Sequence, residues 1–152
     1  MAKNTLIREK AVEILRTVKV NNAPYLKSVK AFEQEPDNLP GLRYVYRPHS
    51  QGSLSTPALF GGATETGVWE FTYSWLWEFF VPIGKGIHKA LEEYEEFDVA
   101  MGIAFMENPT LDGLVPMGVS IEGRQDPSLE TGKDRRYLLV QYDFRATAEE
   151  GQ

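Results

Sequence analysis

Between Gly67 and Gly84 the large side chains fall on alternate positions. Trp69, Phe71, Tyr73, Trp75, Trp77, Phe79 and Val81 form one set, and Glu70, Thr72, Ser74, Leu76, Glu78 and Phe80 the other. A period of two is that of a β-strand, whose successive side chains point to opposite faces. The spacing therefore predicts one strand over 69–81 with an aromatic face. At about 3.3 Å per residue it spans roughly 40 Å, about twice the commonest strand length, which is long enough to overhang a domain of this size. Glu70 and Glu78 rule out reading the same stretch as a membrane helix, which needs about 20 mostly apolar residues.

Elsewhere the period changes to that of a helix. Leu6, Ile7, Ala11, Ile14, Leu15 and Val18 predict an amphipathic helix over 3–18. Ile83, Ile87, Ala90, Leu91, Tyr94, Phe97, Met101, Ala104 and Phe105 predict a longer one, with Glu92, Glu93, Glu95, Glu96 and Asp98 mainly on its other side. Short strands are expected at 25–32, 42–48, 114–122 and 137–147, the third weakened by Pro116 and Gly118. Proline and glycine make 35–41 a turn. The segment 49–67, with Leu59 and Phe60 in its apolar island, reads as a loop or protruding arm, and 123–136 as a charged connection. These elements predict a single α+β domain, a mostly antiparallel sheet with an N-terminal helix and a long packing helix.

Composition narrows what such a domain does. The 152 residues contain no cysteine, so thiolate chemistry, disulfides and cysteine-type zinc sites are excluded. A net charge of -6 argues against tight binding to phosphate backbones. No signal peptide is visible at the N-terminus, so folding in a cytoplasm is expected, and no membrane association. Candidate chemistry is sparse. His49 stands in a Ser- and Gly-rich stretch without a base or nucleophile arranged around it, and His88 is expected to face solvent at the start of the long helix. Glu92 and Glu96 are four apart, but the Glu-x-x-His spacing of a carboxylate-bridged metal pair is absent, so a solvated acidic face is the expectation. No catalytic residue, cofactor or metal is expected. Arg124, Arg135 and Arg136 form the basic cluster of the charged connection, either as surface ion pairs or as a patch that meets an acidic neighbour.

Two motifs carry a family resemblance. Asn38-Leu39-Pro40-Gly41-Leu42-Arg43-Tyr44-Val45-Tyr46-Arg47-Pro48 resembles the Pro-Gly-hydrophobic-basic-x-Val-Tyr element near the start of the tail terminator (tail completion) proteins of long-tailed bacteriophages. Thr110-Leu111-Asp112-Gly113-Leu114-Val115 resembles their Leu-x-Gly-Leu-Val turn into a strand. With the order of elements, the resemblance runs from about Leu6 to Thr147. It implies a structural virion protein without an active site, assembled in the host cytoplasm. Such a protein forms a ring, commonly a hexamer, that caps the tail tube, docks the head's connector and lets DNA pass through its lumen without specific binding. Head-tail connector proteins of the neck share a related build and are the first alternative. A small-ligand-binding domain, with the aromatic stripe lining a pocket, is the second. On the ring reading Trp69, Phe71, Phe79, Phe80, Leu59, Phe60, Arg124, Arg135 and Arg136 are candidates for contact with neighbours. Tyr73, Trp75 and Trp77 are expected to anchor the core.

Overall fold

The computed structural model describes residues 3–31, 34–46, 69–84, 86–124, 126–132 and 134–150. Helix α1, Lys3–Thr17, is followed by a small hairpin of β1, Lys19–Val20, and β2, Ala23–Pro24. Asn21 and Asn22 close that hairpin at φ 55° and 65°, the left-handed pair that a two-residue turn needs and that asparagine tolerates. Strands β3, Ser28–Ala31, and β4, Gly41–Tyr46, pair in parallel. The aromatic run forms β5, Trp69–Pro82, and α2 occupies Ile87–Glu107. Then come β6, Val119–Gly123, β7, Ser128–Gly132, and β8, Arg135–Glu150.

The fold is α+β: six strands form one mixed, mostly antiparallel sheet in the order β3-β4-β5-β8-β6, with β7 also paired to β8. β5 and β8 are its spine, paired residue for residue from Trp69 with Glu150 to Pro82 with Tyr137. The period-two reading decides which face is covered. Trp75, Trp77, Phe79 and Val81 share their face with Leu42 and Tyr44 of β4 and with Leu138, Val140, Tyr142 and Phe144 of β8. All of these are buried, in one cluster with Ile7, Ala11, Ile14 and Leu15 of α1 and Ala90, Tyr94, Phe97, Met101 and Phe105 of α2. Both helices therefore lie on this side. Trp77 is fully buried and stacks on Phe144 at 4.5 Å between ring centroids.

Three expected boundaries change. The strand expected at 114–122 begins at Val119, because 111–118 is a run of turns. Leu111, Asp112 and Gly113 lie at φ 49°, 58° and 85°, Gly118 at 87°, and Val115 N–H bonds back to Thr110 O at 3.0 Å. Leu111 and Val115, both fully buried, plug the core from this turn. The connection expected over 123–136 contains β7 and the start of β8. Gly123 pairs with Tyr142 and Ser128 with Leu139, so the four residues 124–127 stand against only two on β8. β6 and β7 are thus one interrupted edge strand with a wide bulge, a local distortion that also discourages pairing with another sheet edge. The expected strand at 25–32 shortens to Ser28–Ala31, its first residues taken by Tyr25, whose ring stacks on Phe97 at 4.7 Å.

The face of the sheet away from the helices holds a polar surprise. Glu78 is the buried charged side chain among the described residues. In register it lies between Arg43 of β4 and Gln141 of β8. Arg43 Nε donates to its Oε1 at 2.8 Å and Gln141 Nε2 to its Oε2 at 2.8 Å. The Arg43 guanidinium also lies 5.0 Å from the centre of the Phe80 ring. At the end of that face, Arg135 pairs with Glu35 at 3.0 Å and donates to the carbonyls of Pro36 and Asp37. A Cβ on Gly41 would meet Pro36 and one on Gly132 would meet Glu35, so these two glycines let residues 34–40 lie flat against the strands.

Candidate assembly surfaces

The core candidates are together where the alternation put them. Trp75 and Trp77 are buried beneath the helices, and Tyr73, half-buried, packs at the margin of the same cluster. The interface candidates separate. Phe79 and Phe80 are each 1% exposed, so neither is surface. Phe79 packs against Phe97 and Tyr142 at 5.5 Å, and Phe80 on the opposite face against Tyr137 at 4.6 Å. The even positions were expected to be mixed, but Leu76 and Phe80 are buried with Glu78 because side chains on neighbouring strands cover them. Arg135 is likewise turned inward onto residues 35–37. Leu59, Phe60, His49 and the whole 49–67 arm fall outside the described residues.

Trp69 and Phe71 remain candidates by position. Among the described residues, β4 pairs with β5 from Tyr46 with Trp75 to Gly41 with Phe80, and β6 pairs with β8 as far as Ala146. Among the described residues, 69–72 pair with 147–150 and with no other strand. Four residue pairs at about 3.4 Å extend over roughly 14 Å. Thr72 and Thr147 are linked through their hydroxyls at 3.2 Å.

Arg124 and Arg136 remain at the surface. Arg124 lies 3.4 Å from Asp143 with 40% of its side chain exposed, and Arg136 is exposed on β8. The long helix offers a second surface. His88 is exposed as expected, 3.0 Å from Glu92, whereas Ile87, expected to be buried, is 44% exposed. Opposite the buried face of α2, Val99, Ile103 and Met106 are 64%, 51% and 79% exposed. Their i, i+4, i+7 spacing is visible in the sequence, but it runs parallel to the stronger core stripe, which masks it.

Between α2 and the β6–β7 bulge lies a groove of about 610 Å³, lined by Leu91, Glu95, Asp98, Ile121, Pro127 and Tyr142 among others. At its floor Tyr94 donates to Tyr142 at 2.9 Å, and Tyr142 donates to Asp98 at 2.6 Å. Burial raises the pKa of both hydroxyls well above the usual tyrosine value, so they are neutral donors. Among the described residues no group of three or more His, Asp or Glu is placed to hold a metal ion, and no helix is long and apolar enough to cross a membrane. No protein-family model matches the chain, and no curated protein sequence matches it.

Proposed function

We propose that this protein is a structural subunit of a long-tailed phage particle. It forms a ring that closes the tail tube and presents a surface to the head connector. The observation that carries the reading is the length of the β5–β8 pair, which runs from Trp69 with Glu150 to Pro82 with Tyr137. A strand pair about twice the commonest strand length gives a ring subunit the reach to meet a neighbour through a heterologous contact. The Pro-Gly and Leu-Asp-Gly-Leu-Val motifs support the same reading. The first sets β4 beside the spine, and the second closes the end of the core with Leu111 and Val115. The net charge of -6 suits a lumen through which DNA slides. A neck connector of related build is the nearest alternative.

Electron microscopy of the purified chain, alone and mixed with tail tubes, tests the proposal. Rings at tube ends are the expected result. Rings that bind only the portal side would move the protein to the neck. A chain that neither forms rings nor attaches to tubes refutes both. The groove beside Tyr142 favours a second reading, a small-ligand-binding domain, for which a bound molecule on native mass spectrometry is the deciding observation.

A further inference from the structure

The groove between α2 and the β6–β7 bulge has spent its donors and kept its acceptors. Tyr94 gives its hydroxyl proton to Tyr142, and Tyr142 gives its own to Asp98 Oδ1. Each phenol then has only oxygen lone pairs left to offer. Glu95 and Asp98, three apart on the flank of α2 that lines the groove, add carboxylate acceptors at an exposed rim. No lysine or arginine is among the described lining residues. Arg124, on the adjoining bulge, is engaged with Asp143, which alternation puts on the opposite sheet face from Tyr142. The walls between floor and rim are apolar, with Leu91 from α2, Ile121 from β6 and Val140 from β8.

An acceptor-only site with apolar walls selects a ligand that carries N–H donors and positive charge on an aliphatic stem. We infer that the groove receives an arginine side chain presented by a partner polypeptide. The stem lies along Leu91, Ile121 and Val140, and the guanidinium meets Glu95 and Asp98. Arginine suits this better than lysine, because its planar fork of five donors engages two carboxylates at once and it sits more readily against aromatic rings. The volume, about 610 Å³, is in the range of roughly 300–1,000 Å³ that whole drug-sized ligands fill, so one such stem leaves space over. Gly123 and Pro127 bring the backbone of the edge strand to the exposed rim, where residues flanking the arginine are accommodated. This occupant does not depend on ring formation. It concerns the groove on which the small-ligand reading rests, and names a polypeptide in place of a small molecule.

The test is NMR of the full chain titrated with a blocked tripeptide of alanine, arginine and leucine. Versions with lysine or citrulline in place of arginine, and free agmatine, are titrated alongside. Saturating shifts at Leu91, Ile121 and Val140 are expected with the arginine peptide, weaker ones with lysine, and none that saturate with uncharged citrulline. Glu95→Gln and Asp98→Asn should each weaken binding about tenfold or more, the worth of one charge-assisted contact. Both positions are exposed, and asparagine keeps an oxygen to accept from Tyr142, so unchanged melting serves as the folding control. Glu92→Gln, on the same helix but outside the groove, should leave binding as it is. Absence of shifts at the groove, equal binding of the lysine or citrulline peptide, or an equal loss in Glu92→Gln overturns the arginine site. Agmatine bound as tightly as the arginine peptide overturns the polypeptide partner and returns the groove to the small-ligand reading.

Discussion

The Arg43–Glu78–Gln141 ladder makes the sharpest stability prediction. Glu78→Leu removes the acceptor of the Arg43 and Gln141 hydrogen bonds and leaves a guanidinium with only 22% of its side chain exposed. Breaking a buried pair costs about 3–5 kcal/mol, and the water still reaching Arg43 reduces this to about 2–4 kcal/mol. Arg43→Met strands the carboxylate, whose side chain is 8% exposed, and should cost at least as much. The double variant replaces ion pair by apolar contact beside Phe80 and is expected to lose only about 0–2 kcal/mol, because a packed apolar pair substitutes well for a buried charge pair. Urea titration followed by tryptophan fluorescence reads all three. With slopes of about 1–3 kcal/mol/M, the single variants should move the midpoint by roughly 1 M or more. Single losses below about 1 kcal/mol, or a double variant equal to the sum of the singles, would refute the assignment of the ladder as one coupled unit.

Trp75→Ala should cost about 3–5 kcal/mol, since the ring is buried against Phe144 and Tyr44; a variant that melts normally but fails to assemble would place Trp75 at a subunit contact instead. Burial raises the pKa of Tyr25, Tyr44, Tyr94 and Tyr142 in the fold. Their stabilising contribution is complete below the unfolded value near 10 and lost as pH rises past it, because the unfolded chain then releases protons that the fold retains. Urea midpoints should thus hold from pH 7 to 9 and drop by pH 11, with a shallower drop in Tyr142→Phe; a flat profile to pH 11 would contradict the burial argument. Tyr44→Phe is expected to change stability by less than about 1 kcal/mol in the same assay, since the buried Tyr44 hydroxyl faces the Trp77 indole without a well-formed hydrogen bond.

Periodicity made the spine and both helices legible, because burial on one face writes itself into every second or every third and fourth residue. Trp75 and Trp77 were readable as core for that reason, whereas Phe79, on the same face, was expected at a contact and is buried. Nor were Phe80 and Glu78 readable as core, since the alternate face of β5 is covered by neighbours that sequence spacing does not identify: Arg43 comes from 35 positions earlier and Gln141 from 63 later. β7 escaped notice because a five-residue edge strand, Ser-Leu-Glu-Thr-Gly, has little apolar content and a bulge before it. Among the candidates, Arg135 was recognised as part of a basic cluster, but its commitment to residues 35–37 depends on a contact about 100 positions away.

The spine also sets the order in which this chain becomes a protein. Its first paired residues, Pro82 and Tyr137, are separated by the whole of α2, β6 and β7, and β8 is the last described element to be synthesised. α2 forms from local contacts, but β5 waits for a partner that must close a long loop, and such non-local pairing is slow. Until β8 arrives, the aromatic strand has one open edge and an incompletely covered face. The nascent chain is then a client for holding factors and a hazard for its neighbours. A slow refolding step, lengthened by anything that delays β8, is the kinetic signature of building a sheet around its last strand.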